Sequence, residues 1–180
     1  MKIASIGFVS YLHSNLLAGF LTVLCITSLH AEEVSVDTLK AQIAGLYTLE
    51  EWHKDGEVFR PPQVDGRLII LNGLFTTILQ NRMQPSSRST TVLIGRYELN
   101  SDRFSYGYDD VSVFTEEGDA TKVSHKPMWD GMRAFIPGIE GDLVRLRQVN
   151  GPYEFVFTSE GLNYFDDGKL LRKWRRTTDK

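Results

Sequence analysis

A chain of 180 residues, 42% of them hydrophobic and 24% charged, is long enough to bury roughly two thirds of its unfolded surface as a single domain. Its formal charge of −3 and scattered basic residues exclude the strong basic stripe that nucleic-acid binding requires. The only cysteine, Cys25, excludes internal disulfides, and its place in an apolar N-terminal run leaves no thiolate for catalysis or for zinc.

Residues 1–31 differ in character from the rest of the chain. Lys2 is the only charge before Glu32, an apolar run covers 16–26, and Ser28-Leu29-His30-Ala31 ends the segment on a small residue. This order predicts a signal peptide cleaved after Ala31, and hence a secreted or periplasmic protein. An uncleaved anchor is the alternative reading, because the uncharged stretch is long. Thr22-Val23-Leu24-Cys25 departs from a lipid-modified cysteine pattern, since Leu24 is large where a small residue is expected. The domain then covers 32–180. It has no membrane span, no cysteine, and a charge that passes from −3 to −4 with the loss of Lys2.

One short helix is predicted first, with Asp37 as N-cap, Leu39 and Ile43 on one face, and Gly45 ending it. Strands occupy the remainder. Leu46 to Trp52 is the first, turned by Lys54-Asp55-Gly56, and Arg60-Pro61-Pro62 is a rigid connection. Arg67–Leu71 and Leu74–Leu79 flank Asn72-Gly73, a strong hairpin signal. Residues 84–89 read as a polar loop. Val92–Leu99 and Arg103–Tyr108 form a second hairpin, and a parity change before Val111–Phe114 predicts a bulge at Asp109-Asp110. Residues 116–127 lack clear alternation. Met132–Ile136, Leu143–Val149, Tyr153–Thr158, Asn163–Phe165 and Leu170–Arg176 complete the series, punctuated by Asn150-Gly151 and Asp167-Gly168.

Eight to ten short strands joined by tight turns, with no helix long enough for a crossover, predict an all-β fold. Sequential hairpins favour an antiparallel up-and-down β-barrel, whose closure removes the aggregation-prone edges.

Several segments are similar to the bacterial lipocalin-like domains. Ile43-Ala44-Gly45-Leu46-Tyr47-Thr48-Leu49-Glu50-Glu51-Trp52 resembles their opening, which runs glycine, variable residue, tryptophan, with Tyr47 standing in the tryptophan's place. The Asp55-Gly56 turn, the proline pair, Gly66–Ile70 and Gly95-Arg96-Tyr97-Glu98-Leu99 resemble later parts. So do Trp129-Asp130-Gly131, Gly141-Asp142-Leu143 and the closing Trp174, although the spacing between the Trp129 and Gly141 motifs differs by one residue. The resemblance spans nearly all of 32–180. It implies a small calycin-type barrel and no settled catalytic residues. It also implies that Tyr47, Trp52 and Trp174 close one end, with Arg175 as a cationic partner to the aromatic cluster.

Strand parity supplies the candidate site. Tyr97, then Phe104, Tyr106 and Tyr108, then Phe155 and Phe157 fall on apolar rows that a barrel turns inward, giving an aromatic lumen. Such a lumen is either filled by its own rings or holds one small hydrophobic molecule. Trp129 and Arg133 stand in a segment that either contacts a ligand at the mouth or forms a tight turn, with Arg133 placed to meet a polar head group. Arg172-Lys173 and Arg175-Arg176 read as a solvated strand face. His53 and His125 stand alone beside turns, and the doublets Asp109-Asp110, Glu116-Glu117 and Asp166-Asp167 are accounted for by turns and solvation, so no metal site or cofactor is expected. Three functions remain open: a binding or carrier protein, a barrel-type cyclase or isomerase working by proximity, and a packed envelope or interaction protein with no ligand. Oligomeric state is not legible in the sequence.

Overall fold

The computed structural model describes residues 35–84 and 86–177; the expected export segment lies outside the described residues. Val36–Ile43 forms helix α1, whose Leu39 and Ile43 are fully buried, as their spacing predicts. Its boundaries differ from the expectation. Ser35 is the N-cap, without a side-chain capping bond, and Asp37 sits in the first turn, where its charge favours the helix dipole. The helix ends at Ala44, which leaves in an extended conformation while its N–H bonds to the Lys40 carbonyl, so Gly45 begins a strand instead of capping the helix.

Among the described residues twelve strands come after it: β1 (Gly45–Lys54), β2 (Glu57–Phe59), β3 (Val64–Leu71), β4 (Leu74–Gln84), β5 (Ser87–Leu99) and β6 (Phe104–Glu117). Then come β7 (Ala120–Lys126), β8 (Arg133–Glu140), β9 (Leu143–Gln148), β10 (Tyr153–Phe157), β11 (Gly161–Asp166) and β12 (Lys169–Arg176). Ten of them run in sequence order as an antiparallel meander, and β12 pairs with β1 to close the barrel, with Tyr47 opposite Arg176 and Leu49 opposite Trp174. The remaining two lie off this ring. β2 pairs with the far end of β1, and β7 pairs with the second half of β6.

Local chemistry sets the hairpins. Asn72-Gly73, Asp55-Gly56 and Asp167-Gly168 each place two consecutive residues at positive φ, the pairing that matches strand twist in a two-residue turn. The expected bulge is present: Ile94 faces Asp110 and Gly95 faces Tyr108, so Asp109 is the extra residue. Asp109 points outward to an ion pair with Arg96 at 2.9 Å. At this kink the strands close so tightly that a Cβ on Gly95 would lie 1.9 Å from the Gly107 carbonyl oxygen, which only glycine tolerates. Within the expected loop 84–89, Gln84 is the last residue of β4, and 87–89 already belong to β5. The unpatterned stretch 116–127 is the exposed β6–β7 hairpin.

The two ends of the barrel are unlike. The end carrying the start of β1 is packed solid by Leu39 and Ile43 of α1 with Phe104, Phe135 and Phe157. Tyr47 is fully buried there and donates its phenol hydrogen to the Ile43 carbonyl at 2.8 Å. Arg176 Nη2 donates to the Tyr47 oxygen at 2.9 Å and to the Gln42 carbonyl, with its guanidinium 5.3 Å from the Tyr47 ring. One arginine thus ties the last turn of α1 across the β1–β12 seam, where a cation favours helix-terminal carbonyls. Alternation assigns this role to Arg176 and not to the expected Arg175, which faces out and pairs with Glu50 at 3.1 Å. The expected trio also divides, because β1 runs from the packed end, at Tyr47, to the open end, at Trp52.

A cavity at the open end of the barrel

Opposite α1 the inward side chains do not meet. A cavity of about 310 Å³ remains, within the size range of small-molecule sites though at its low end. Its deep wall is Phe75 and Thr77 of β4, Tyr106 and Tyr108 of β6 and Phe155 of β10. Nearer the mouth stand Trp52 of β1, Trp129 before β8, Arg133 of β8, Tyr164 of β11 and Arg172 of β12. Leu68, Leu79, Leu93 and Trp174 complete the apolar surface.

Tyr106 organises the deep wall. It stacks on Phe75 with centroids 4.2 Å apart and on Phe135 at 5.7 Å, and meets Phe155 edge-on at 5.8 Å. Tyr108 shares a buried hydrogen bond of 3.1 Å with Thr77 Oγ1 and takes Trp129 edge-on at 4.8 Å. The Trp129 backbone N–H donates to the Tyr108 carbonyl at 3.2 Å, which pins the segment before β8 over the mouth.

The two cations are stacked on rings. Arg133 lies 4.0 Å from the Trp129 centroid and 5.0 Å from that of Tyr153, and Arg172 lies 4.4 Å from Trp52 and 5.9 Å from Tyr164. Burial pushes the phenols of Tyr106, Tyr108 and Tyr164 up, and nearby Arg133 partly offsets this. Burial pulls the Arg172 guanidinium below its ordinary value. An arginine side chain nonetheless keeps its proton in proteins, so at neutral pH this wall presents neutral phenols and two cations. Among the described residues that line it there is no carboxylate, imidazole or thiol.

The eight candidate residues therefore separate by depth. Tyr106, Tyr108, Trp129, Arg133 and Phe155 line the cavity. Tyr97, Phe104 and Phe157 face inward as their parity requires, but they lie in the packed half and do not reach it. Trp129 combines both readings of its segment, since it packs on Tyr108 and also exposes a surface to the cavity.

Sequence reasoning missed Arg172. The terminal basic cluster is only half a solvated face: Lys173 and Arg175 point out to Glu50, while Arg172 and Arg176 share the inward parity of buried Trp174. That parity was the available signal, and the usual exposure of arginine masked it. Trp52 and Tyr164, on which Arg172 stacks, were missed with it.

The histidines lie elsewhere. His53 Nε2 is 2.9 Å from Glu51, and His125 Nδ1 is 3.1 Å from Ser112 Oγ. No cluster of metal-ligating side chains occurs among the described residues, and no helix among them is long and apolar enough to cross a membrane. No family model, curated protein or solved structure matches this chain.

Proposed function

We propose that the protein is an exported barrel of the lipocalin-like kind that binds or carries a small hydrophobic molecule in its open half. The observation that carries this reading is the asymmetry of the interior. One end is sealed by α1 and its ring contacts, while the other keeps an aromatic-walled cavity of about 310 Å³ with a few polar groups at its mouth. A barrel whose only task was to be a solid interaction module would gain stability by filling that volume, because each lost methylene of packing is costly. The apolar wall supplies affinity, and the phenols, Thr77 and the arginines fix orientation.

Native mass spectrometry of the protein purified from its own host tests both parts of the proposal. The expected spectrum shows a chain beginning at Glu32 and carrying one small apolar compound that organic extraction removes. A chain retaining residues 1–31 contradicts export by cleavage, and a chain that never carries a compound and takes up none on incubation contradicts the carrier reading.

A further inference from the structure

The cavity's cations have no anion of their own. On the outer wall, ion pairs engage Arg60, Arg67, Arg96, Arg145, Arg147 and Arg175. Among the described residues none engages Arg133 or Arg172. Arg172 bears the larger cost. Its Nε is shut off from solvent and has no hydrogen-bond partner, whereas Arg176 at the sealed end at least bonds to the Gln42 carbonyl and Tyr47 through Nη2. A desolvated guanidinium without a counter-charge is destabilising, so its retention inside a binding cavity calls for a ligand that supplies the charge.

The geometry says what shape the charge takes. Trp52 and Tyr164 lie against Arg172, and Trp129 and Tyr153 against Arg133. Rings lying over a guanidinium cover its faces and leave the Nη donors of its planar edge for an oxyanion. The rings beneath them adjoin: Arg133 lies over Tyr153, Arg172 lies over Tyr164, and the Tyr153 and Tyr164 centroids are 5.5 Å apart, so the two cations flank one aromatic pair. Phenols that keep their protons can add donors to the same oxyanion.

Resting on the carrier reading, we propose that the ligand is an anionic amphiphile. Its carboxylate, sulfonate or phosphate is held by Arg172 and Arg133 at the mouth, and its apolar body lies against Phe75, Leu79, Phe155 and Trp174.

Two probes with one aromatic body separate this inference from the reading beneath it: anilinonaphthalene sulfonate, and phenylnaphthylamine, which lacks the sulfonate. The intact protein is expected to bind the sulfonate at least about tenfold more tightly, the scale of a charge-assisted bidentate contact. Arg172→Met is expected to erase most of that preference and to leave phenylnaphthylamine within about threefold. Its melting temperature is expected to equal or exceed that of the parent chain, because a half-buried charge with no counter-ion has gone. Decanoate is expected to displace the sulfonate where decanol does not. Should Arg172→Met fail to keep its near-ultraviolet circular dichroism, Arg133→Met carries the same comparison. Equal binding of the two probes, or an equal loss of both in the variant, overturns the anionic ligand and leaves the carrier reading standing. Binding of neither probe overturns both.

Discussion

Replacing Tyr106 by alanine is expected to lower the unfolding free energy by about 3–5 kcal/mol, the range for truncating a large buried aromatic. The ring is 3% exposed and lies between Phe75, Phe135 and Phe155, so its loss removes stacked contacts on several sides at once. Because Tyr106 borders the existing cavity, part of its surface has no protein neighbour, which lowers the cost somewhat. The packed sides decide the outcome, since a closed barrel cannot collapse to fill the space. Tyr106→Phe keeps the ring and is expected to cost less than about 1.5 kcal/mol. Urea unfolding monitored by circular dichroism reads both values. A loss below about 1 kcal/mol for the alanine variant would mean that the aromatic cluster is not the core that holds the barrel.

The protein is expected to lose stability steeply between pH 10 and 12. Burial, partly offset by Arg176, raises the phenol of Tyr47 from 10.0 to about 12. For a group whose folded value is raised, the folded state holds the proton more tightly. The contribution is therefore complete below the unfolded value of about 10 and disappears as pH climbs through the folded one. A rise of this size corresponds to about 3 kcal/mol for this residue. Tyr106, Tyr108 and Tyr164 shift in the same direction through burial and steepen the fall. Tyr47→Phe isolates one share. It forfeits the bonds to Ile43 and Arg176, so it starts less stable at neutral pH, and it then declines less across this window. Urea midpoints measured from pH 8 to 12 test this. Parallel curves for the parent chain and Tyr47→Phe would contradict the assignment.

What the sequence reveals here is local, and what it conceals is not. Asn72-Gly73 and Asp167-Gly168 announce their hairpins because positive φ at two neighbouring positions has few chemical solutions. The parity break at Asp109-Asp110 likewise reports its bulge directly. Gln80-Asn81-Arg82 and Ser87-Arg88-Ser89 conceal theirs, because where β4 and β5 project beyond the core neither face needs to be apolar. The site divides in the same way. Alternation shows which side chains turn inward, and Tyr97, Phe104 and Phe157 do so. Depth along the barrel axis depends on α1 sealing one end, a contact between Leu39, Ile43 and distant strands that no window of sequence contains. Arg172 shows the opposite failure. Its parity was readable from Trp174, but its charge argued for water, and only the rings of Trp52 and Tyr164 explain how it is accommodated inside.

Every tryptophan of the chain, Trp52, Trp129 and Trp174, lines the one cavity to which binding is assigned. Intrinsic fluorescence is therefore a direct report on its occupancy. Titration with phenylnaphthylamine is expected to change that emission along a saturable curve with one ligand per chain, and Leu79→Trp, which fills the lumen, is expected to abolish it. Emission that changes only in linear proportion to added probe, and does so equally in Leu79→Trp, would mean that the open half of the barrel is not a binding site.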